Sequence, residues 1–228
     1  KVFNFIAQAS VELAMNLDVI GVQVGLFLLY SIVESQQEFF SEYSNMDYVI
    51  NYIINYADCE DDYVLTYAFY LLREMAEFVA PALTLKLDSI VAFLMKHINH
   101  QDGFQTLDYV LDLALAPPSD LIEFIQTLIS IMQQANSEQA VLPLNCIASS
   151  ISSAKTPNED VYDLIIPILT EALGEDNENL QKVSIRCFGN LSIIAPRSSA
   201  ADIDKIAEML MHAFTGANYS TDIALLIE

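Results

Sequence analysis

The sequence predicts an all-α solenoid of repeated helix pairs, and three observations carry that expectation. Apolar residues recur at i, i+3, i+4, i+7 and i+8, the spacing of one helix face, along most of the chain. The same template returns at an interval of about forty residues, as in arrays of stacked helical repeats. Prolines and capping residues fall mostly between the apolar runs, and no window alternates apolar and polar residues at period 2, so no β-sheet is expected.

The first helix of each pair (helix A) shows the template most clearly. Val49, Tyr52, Ile53, Tyr56 and Ala57 form one copy, and Leu87, Ile90, Val91, Leu94 and Met95 the next. Further copies begin at Leu121, Val161 and Ile203, so the starts are 38, 34, 40 and 42 residues apart. A second stripe (helix B) lies between them. Val64, Tyr67, Ala68, Leu71, Leu72 and Met75 match Leu180, Val183, Ser184, Cys187, Phe188 and Leu191 after a shift of 116 residues, close to three repeats. A shift back by 43 reaches Gly21, Val24, Gly25, Leu28, Leu29 and Ile32. The period is close to that of HEAT and armadillo arrays.

Helix pairs are expected at 2–15/18–34, 45–57/61–79, 84–99/104–116, 119–134/138–153, 159–173/177–195 and 201–215/219–228, about five and a half in all. A pair of this kind cannot bury its apolar stripe alone, and stacking on both neighbours does so. The expectation is one array over 1–228 without a domain boundary. Because the chain opens at Lys1 and closes within the helical pattern Asp222–Glu228, it reads as part of a longer solenoid. Acidic and Asn side chains at Asp58–Asp62 and Gly174–Glu178 are placed to cap B helices, and Asn158 or Asp160 to cap the A helix that follows. Pro81, Pro117, Pro118, Pro157 and Pro196 mark junctions where a helix stops. Pro143 and Pro167 interrupt helical patterns, and Pro167 should kink its helix. Gly21, Gly25 and Gly189 fall inside helices, as close packing would require, and the aromatics from Tyr48 to Tyr70 follow helical spacing and are expected mostly in the core, with some lining a groove.

Charge narrows the partner class. The 228 residues are 54% apolar, enough for a substantial core, and carry 31 acidic against 9 basic residues, a net charge of −22. No basic residue stands between Lys1 and Arg73, nor between Lys96 and Lys155. Such a surface repels nucleic acid backbones and anionic membranes, so it serves either solubility or attraction of a basic partner. The apolar run Val19–Val33 is shorter than the ~20 residues of a membrane span and lacks basic flanks, so it is expected to be a core helix. Three widely spaced cysteines without a CxxC suit a reducing compartment, where the sequons at Asn190 and Asn218 carry no sugar.

Chemistry-bearing patterns are sparse. His97 and His100 share a helix face at i, i+3, but a metal site needs about three or four ligands. They are expected on the surface at a helix C-terminus, where the dipole favours them. No phosphate loop, GxSxG, HExxH or calcium loop occurs. Glu74 and Glu77 suit a solvated or partner-facing position better than acid–base catalysis. The expectation is a non-enzyme without cofactor or metal.

Two segments suggest a family. Leu65–Pro81 and Ala140–Pro196, the latter with Ile147-Ala-Ser-Ser-Ile-Ser, Tyr162–Leu169 and Val183–Leu191, resemble repeats of the importin-β (karyopherin-β) nuclear transport receptors, central to C-terminal part. The chain departs from that family's pattern in lacking tryptophan. The resemblance implies a right-handed superhelix with A helices outside and B helices lining a concave face. It implies basic import signals or an importin-α-like adaptor on that face, Phe-Gly nucleoporins between outer helices, and Ran GTPase held mainly by repeats outside this chain. It also implies shuttling between cytoplasm and nucleus. Candidate partner-facing acids on or before B helices are Asp61, Asp62, Glu74, Glu77, Asp108, Asp112, Asp176 and Glu178. The alternative is a non-transport HEAT scaffold, such as a phosphatase scaffold or coat adaptor subunit, that organises other proteins.

Overall fold

The computed structural model describes Phe5, Gln8, Ala9, Glu12 and residues 19–35 and 43–216. The expected helices 2–15 and 219–228 lie largely or wholly outside the described residues. Among those described, every regular element is a helix. In chain order they are α1 (Val19–Ser35), α2 (Tyr43–Tyr56), α3 (Asp62–Thr84), α4 (Leu87–Lys96), α5 (Gly103–Leu113) and α6 (Leu121–Met132). They continue with α7 (Val141–Ser152), α8 (Asp160–Gly174), α9 (Glu178–Ile194), α10 (Pro196–Ala201) and α11 (Ile203–Gly216). The chain forms two compact units, residues 1–119 and 120–228.

Each unit is an all-α stack of helix pairs. In the first, the B helices α1, α3 and α5 pack side by side, α2 packs on α4, and each A helix packs on the B helix that follows it. In the second, α7 packs on α9, while α6, α8 and α11 follow one another as A helices. Polar contacts between neighbouring pairs repeat the sequence period. Gln23–Asp61, His97–Asp58, Arg186–Ser149, Tyr162–Asp202 and Asn190–Ala148 are separated by 38, 39, 37, 40 and 42 residues. Around the third pair the separations fall to 31–34, where the template interval is shortest.

The stripes form the core as expected. Val64, Ala68, Leu71, Leu72 and Met75 on α3 are buried, as are Leu180, Ser184, Cys187, Phe188 and Leu191 on α9. Asp61 begins α3 by accepting the Val64 N–H at 3.0 Å, and Asn177 begins α9 by accepting that of Leu180 at 3.1 Å. Such caps satisfy N–H groups that the helix cannot reach. Pro143 falls in the first turn of α7, where its missing donor costs nothing. The consecutive small residues Ala148, Ser149 and Ser150 of α7 are wholly buried, and Arg186 and Asn190 of α9 donate to the Ser149 hydroxyl and the Ala148 carbonyl.

Several local expectations are corrected. Pro81 does not end its helix: α3 runs through it to Thr84. The ring removes one donor near the helix end, but continuing the helix buries Leu83 completely, and the Thr84 hydroxyl donates to the Ala80 carbonyl at 2.7 Å. Pro196 does mark a junction, since α9 ends at Ile194, and it also opens the short helix α10 at its first position. Neither Asn158 nor Asp160 caps α8. Its cap position is Glu159, which makes no cap bond there. Its carboxylate instead accepts the N–H groups of Arg197 and Ser198 at the start of α10, at 3.2 and 3.0 Å, and the Ser198 hydroxyl. Desolvation would raise the pKa of Glu159, but these bonds outweigh it and the pKa falls below the usual carboxylate value. Gly189 is exposed and a Cβ there would meet nothing, so close packing does not explain it. Pro117, Pro118 and Pro157 do stand in non-helical junctions.

Candidate partner-binding surface

The histidine pair departs from expectation. His97 and His100 are not surface residues: their side chains are only 9% and 5% exposed. Nε2 of His97 lies 2.8 Å from Oδ1 of Asp58, in the loop before α3, and Lys96 Nζ lies 2.6 Å from the other oxygen. Asp58 thus joins two cationic or polar groups from the next pair. The bonds from Lys96 and His97 hold its carboxyl below the usual carboxylate range. His100 turns its ring edge to Phe69 at 5.0 Å and accepts the Asp102 N–H on Nδ1 at 3.2 Å, so the neutral ring carries its proton on Nε2, 3.4 Å from the Thr66 hydroxyl. Among the described residues, no group of three or more His, Cys, Asp or Glu side chains is placed to hold a metal ion.

Arg73 is the only basic residue on α3 and is committed inward. Its guanidinium contacts Oδ1 of Asp102 at 3.3 Å and Oγ1 of Thr106 at 2.9 Å, and it lies 5.6 Å from the centre of the Tyr70 ring. It thereby ties α3 to the start of α5. A carboxylate, a hydroxyl and an aromatic face together suit a planar guanidinium.

The outer stripe of the B layer in the first unit is aromatic and acidic. Tyr63, Tyr70 and Glu77 are exposed on α3, as are Tyr109 and Asp112 on α5, with Glu74 and Asp108 half-buried beside them. On α1, Phe27 is exposed and meets the Tyr67 ring edge-on at 5.9 Å. The Tyr109 hydroxyl donates to Oε2 of Glu77 at 3.2 Å and bridges α5 to α3. Desolvation raises the pKa of Tyr109, and the Glu77 bond and the charges of Glu77 and Glu74 raise it further, while the Arg73 charge lowers it.

The eight acids named from sequence fare differently. Glu74, Glu77, Asp108 and Asp112 share the face of α3 and α5. Asp61 is taken up by structure, since Oδ1 accepts both the Val64 N–H and the Gln23 amide, each at 3.0 Å. Asp62 has a side chain 90% exposed, beside the His97–His100 loop. In the second unit, Asp176 is exposed in the loop before α9, and Glu178 pairs with Lys182 at 2.8 Å within that helix. The sequence placed the aromatics from Tyr48 to Tyr70 mostly in the core and did not single out Tyr109. Tyr63, Tyr70 and Tyr109 are 71%, 41% and 38% exposed, whereas Tyr52 is buried as expected. The signal was available: Tyr63 and Tyr70 are seven apart and continue to Glu77, a second stripe offset from the apolar one.

Compared with protein-family models and with curated proteins, the chain matches none. No helix among the described residues is long and apolar enough to cross a membrane.

Proposed function

We propose that this chain is a protein-binding HEAT-type array that receives a basic segment of another protein on its B-helix face, as a nuclear import receptor resembling importin-β would. The observation that carries the reading is the joint face of α3 and α5. There Glu74, Glu77, Asp108 and Asp112 gather on neighbouring helices, beside exposed Tyr70 and Tyr109. Arg73, the one basic residue of α3 and α5, is engaged with Asp102 and Thr106. Exposed ion pairs contribute only ~0.2–1 kcal/mol each, so affinity must come from several acids meeting one long ligand. Neighbouring helices in register supply that spacing. The family resemblance names the biological setting: import signals or an importin-α-like adaptor as ligand, with Phe-Gly nucleoporins at outer helices and Ran acting through repeats outside this chain.

The test is titration of a Lys/Arg-rich peptide into the chain. Reversing Glu77 and Asp112 to Lys should weaken binding about tenfold or more with helicity unchanged, since each reversal replaces attraction by repulsion. Reversing the exposed acids Glu123 and Glu171 on A helices is the control. Equal losses in both sets would reduce the interaction to unspecific attraction by a −22 chain.

A further inference from the structure

We infer that the part of this face around Tyr109 and Glu77 is an arginine-reading subsite, so that the basic partner segment is recognised through arginine and not through positive charge alone. The inference rests on the basic-segment reading and adds a side-chain preference to it. Tyr109 projects from α5 with 38% of its surface exposed, and its hydroxyl donates to Oε2 of Glu77 on α3. One hydrogen bond thus holds a ring and a carboxylate side by side across two helices. Glu74 lies near enough to act on the same phenol.

A planar guanidinium gains from both groups at once. It lies flat on the ring while its N–H fork reaches the carboxylate, whereas an ammonium is a compact, strongly hydrated charge that uses the carboxylate alone. The chain already contains this arrangement one turn away. Arg73 sits over Tyr70 at 5.6 Å while its N–H groups engage Asp102 and Thr106. Tyr70 gives a face to the chain's own arginine, and Tyr109 offers the equivalent ring and carboxylate outward. Charge complementarity favours an incoming cation, because the first unit carries few basic residues and no other lies on α3 or α5.

The experiment compares two peptides of equal length and charge, one arginine–glycine and one lysine–glycine, titrated into the chain at about 0.1 M salt. The arginine peptide is expected to bind about fivefold more tightly, the scale of exposed cation–π contacts. Tyr109→Leu, which keeps apolar bulk without a ring, should bring the two affinities together. Tyr109→Phe keeps the ring and should retain the preference, and circular dichroism of both variants checks that α5 persists. Equal affinities in the unaltered chain overturn the subsite while leaving the basic-segment reading standing. A preference that survives Tyr109→Leu also overturns it. Absence of binding by either peptide overturns both readings.

Discussion

Asp58 receives Lys96 and His97 from the following repeat, and its lowered pKa makes that contact measurable. A carboxyl whose folded pKa is depressed adds stability above its unfolded pKa of about 3.9 and loses it as pH falls through the folded value. Asp58→Asn should therefore reduce stability at neutral pH by less than about 1 kcal/mol, because the side chain is 36% exposed and screened, and the melting temperature should fall accordingly. Thermal scans of both proteins should converge as pH drops below about 4. A difference that persists unchanged into acid would show that the loss is one of packing, not of charge. The sequence marked this loop as a cap and the histidines as surface groups. The cap reading held for Asp61, but the partners of Asp58 lie one repeat away. The period could have named them, since a shift of 38 from Asp58 lands on Lys96.

At the scale of elements, apolar spacing determined which helices form, because each stripe must be buried and only stacking achieves that. Their ends were less legible. The expected helix 84–99 is shorter, Leu87–Lys96, since α3 runs through Pro81 and uses residues assigned to its successor. Glycines divide by surroundings that the sequence does not contain. A Cβ on Gly103 would stand 2.7 Å from the Ile98 carbonyl oxygen and 3.0 Å from that of His97, where the turn before α5 presses on its first residue. Gly103→Ala should destabilise by about 1–3 kcal/mol, because backbone and not a flexible side chain must yield. Gly189→Ala meets nothing at its exposed position on α9 and should stabilise by up to about 1 kcal/mol. Denaturant midpoints of the two variants should move in opposite directions, and parallel shifts would contradict this account of the turn.

Across the whole chain, the all-α repeat architecture was legible because periodicity is a property of the backbone pattern and survives any local error. The proposed binding face was legible only in part. Net charge pointed to a basic partner, and Glu74, Glu77, Asp108 and Asp112 do share one face, but Asp61 is spent on a cap and a glutamine. Asp61 is half-buried like Glu74 and Asp108, so its hydrogen bonds to Val64 and Gln23 mark it as holding the fold, and a count of charges does not show them. The tyrosines were hidden for the converse reason: aromatic residues at helical spacing read as core until the second stripe of α3 is seen to face away from it. The central claim is that a basic ligand lies along α3 and α5, and cross-link mapping tests it most directly. An arginine-rich peptide bearing a photoreactive group should label the exposed stripe from Tyr70 to Glu77 and around Tyr109 to Asp112, with excess salt suppressing the labelling. Labels concentrated on the A helices α2 and α4, or spread without preference over acidic surface, would contradict it.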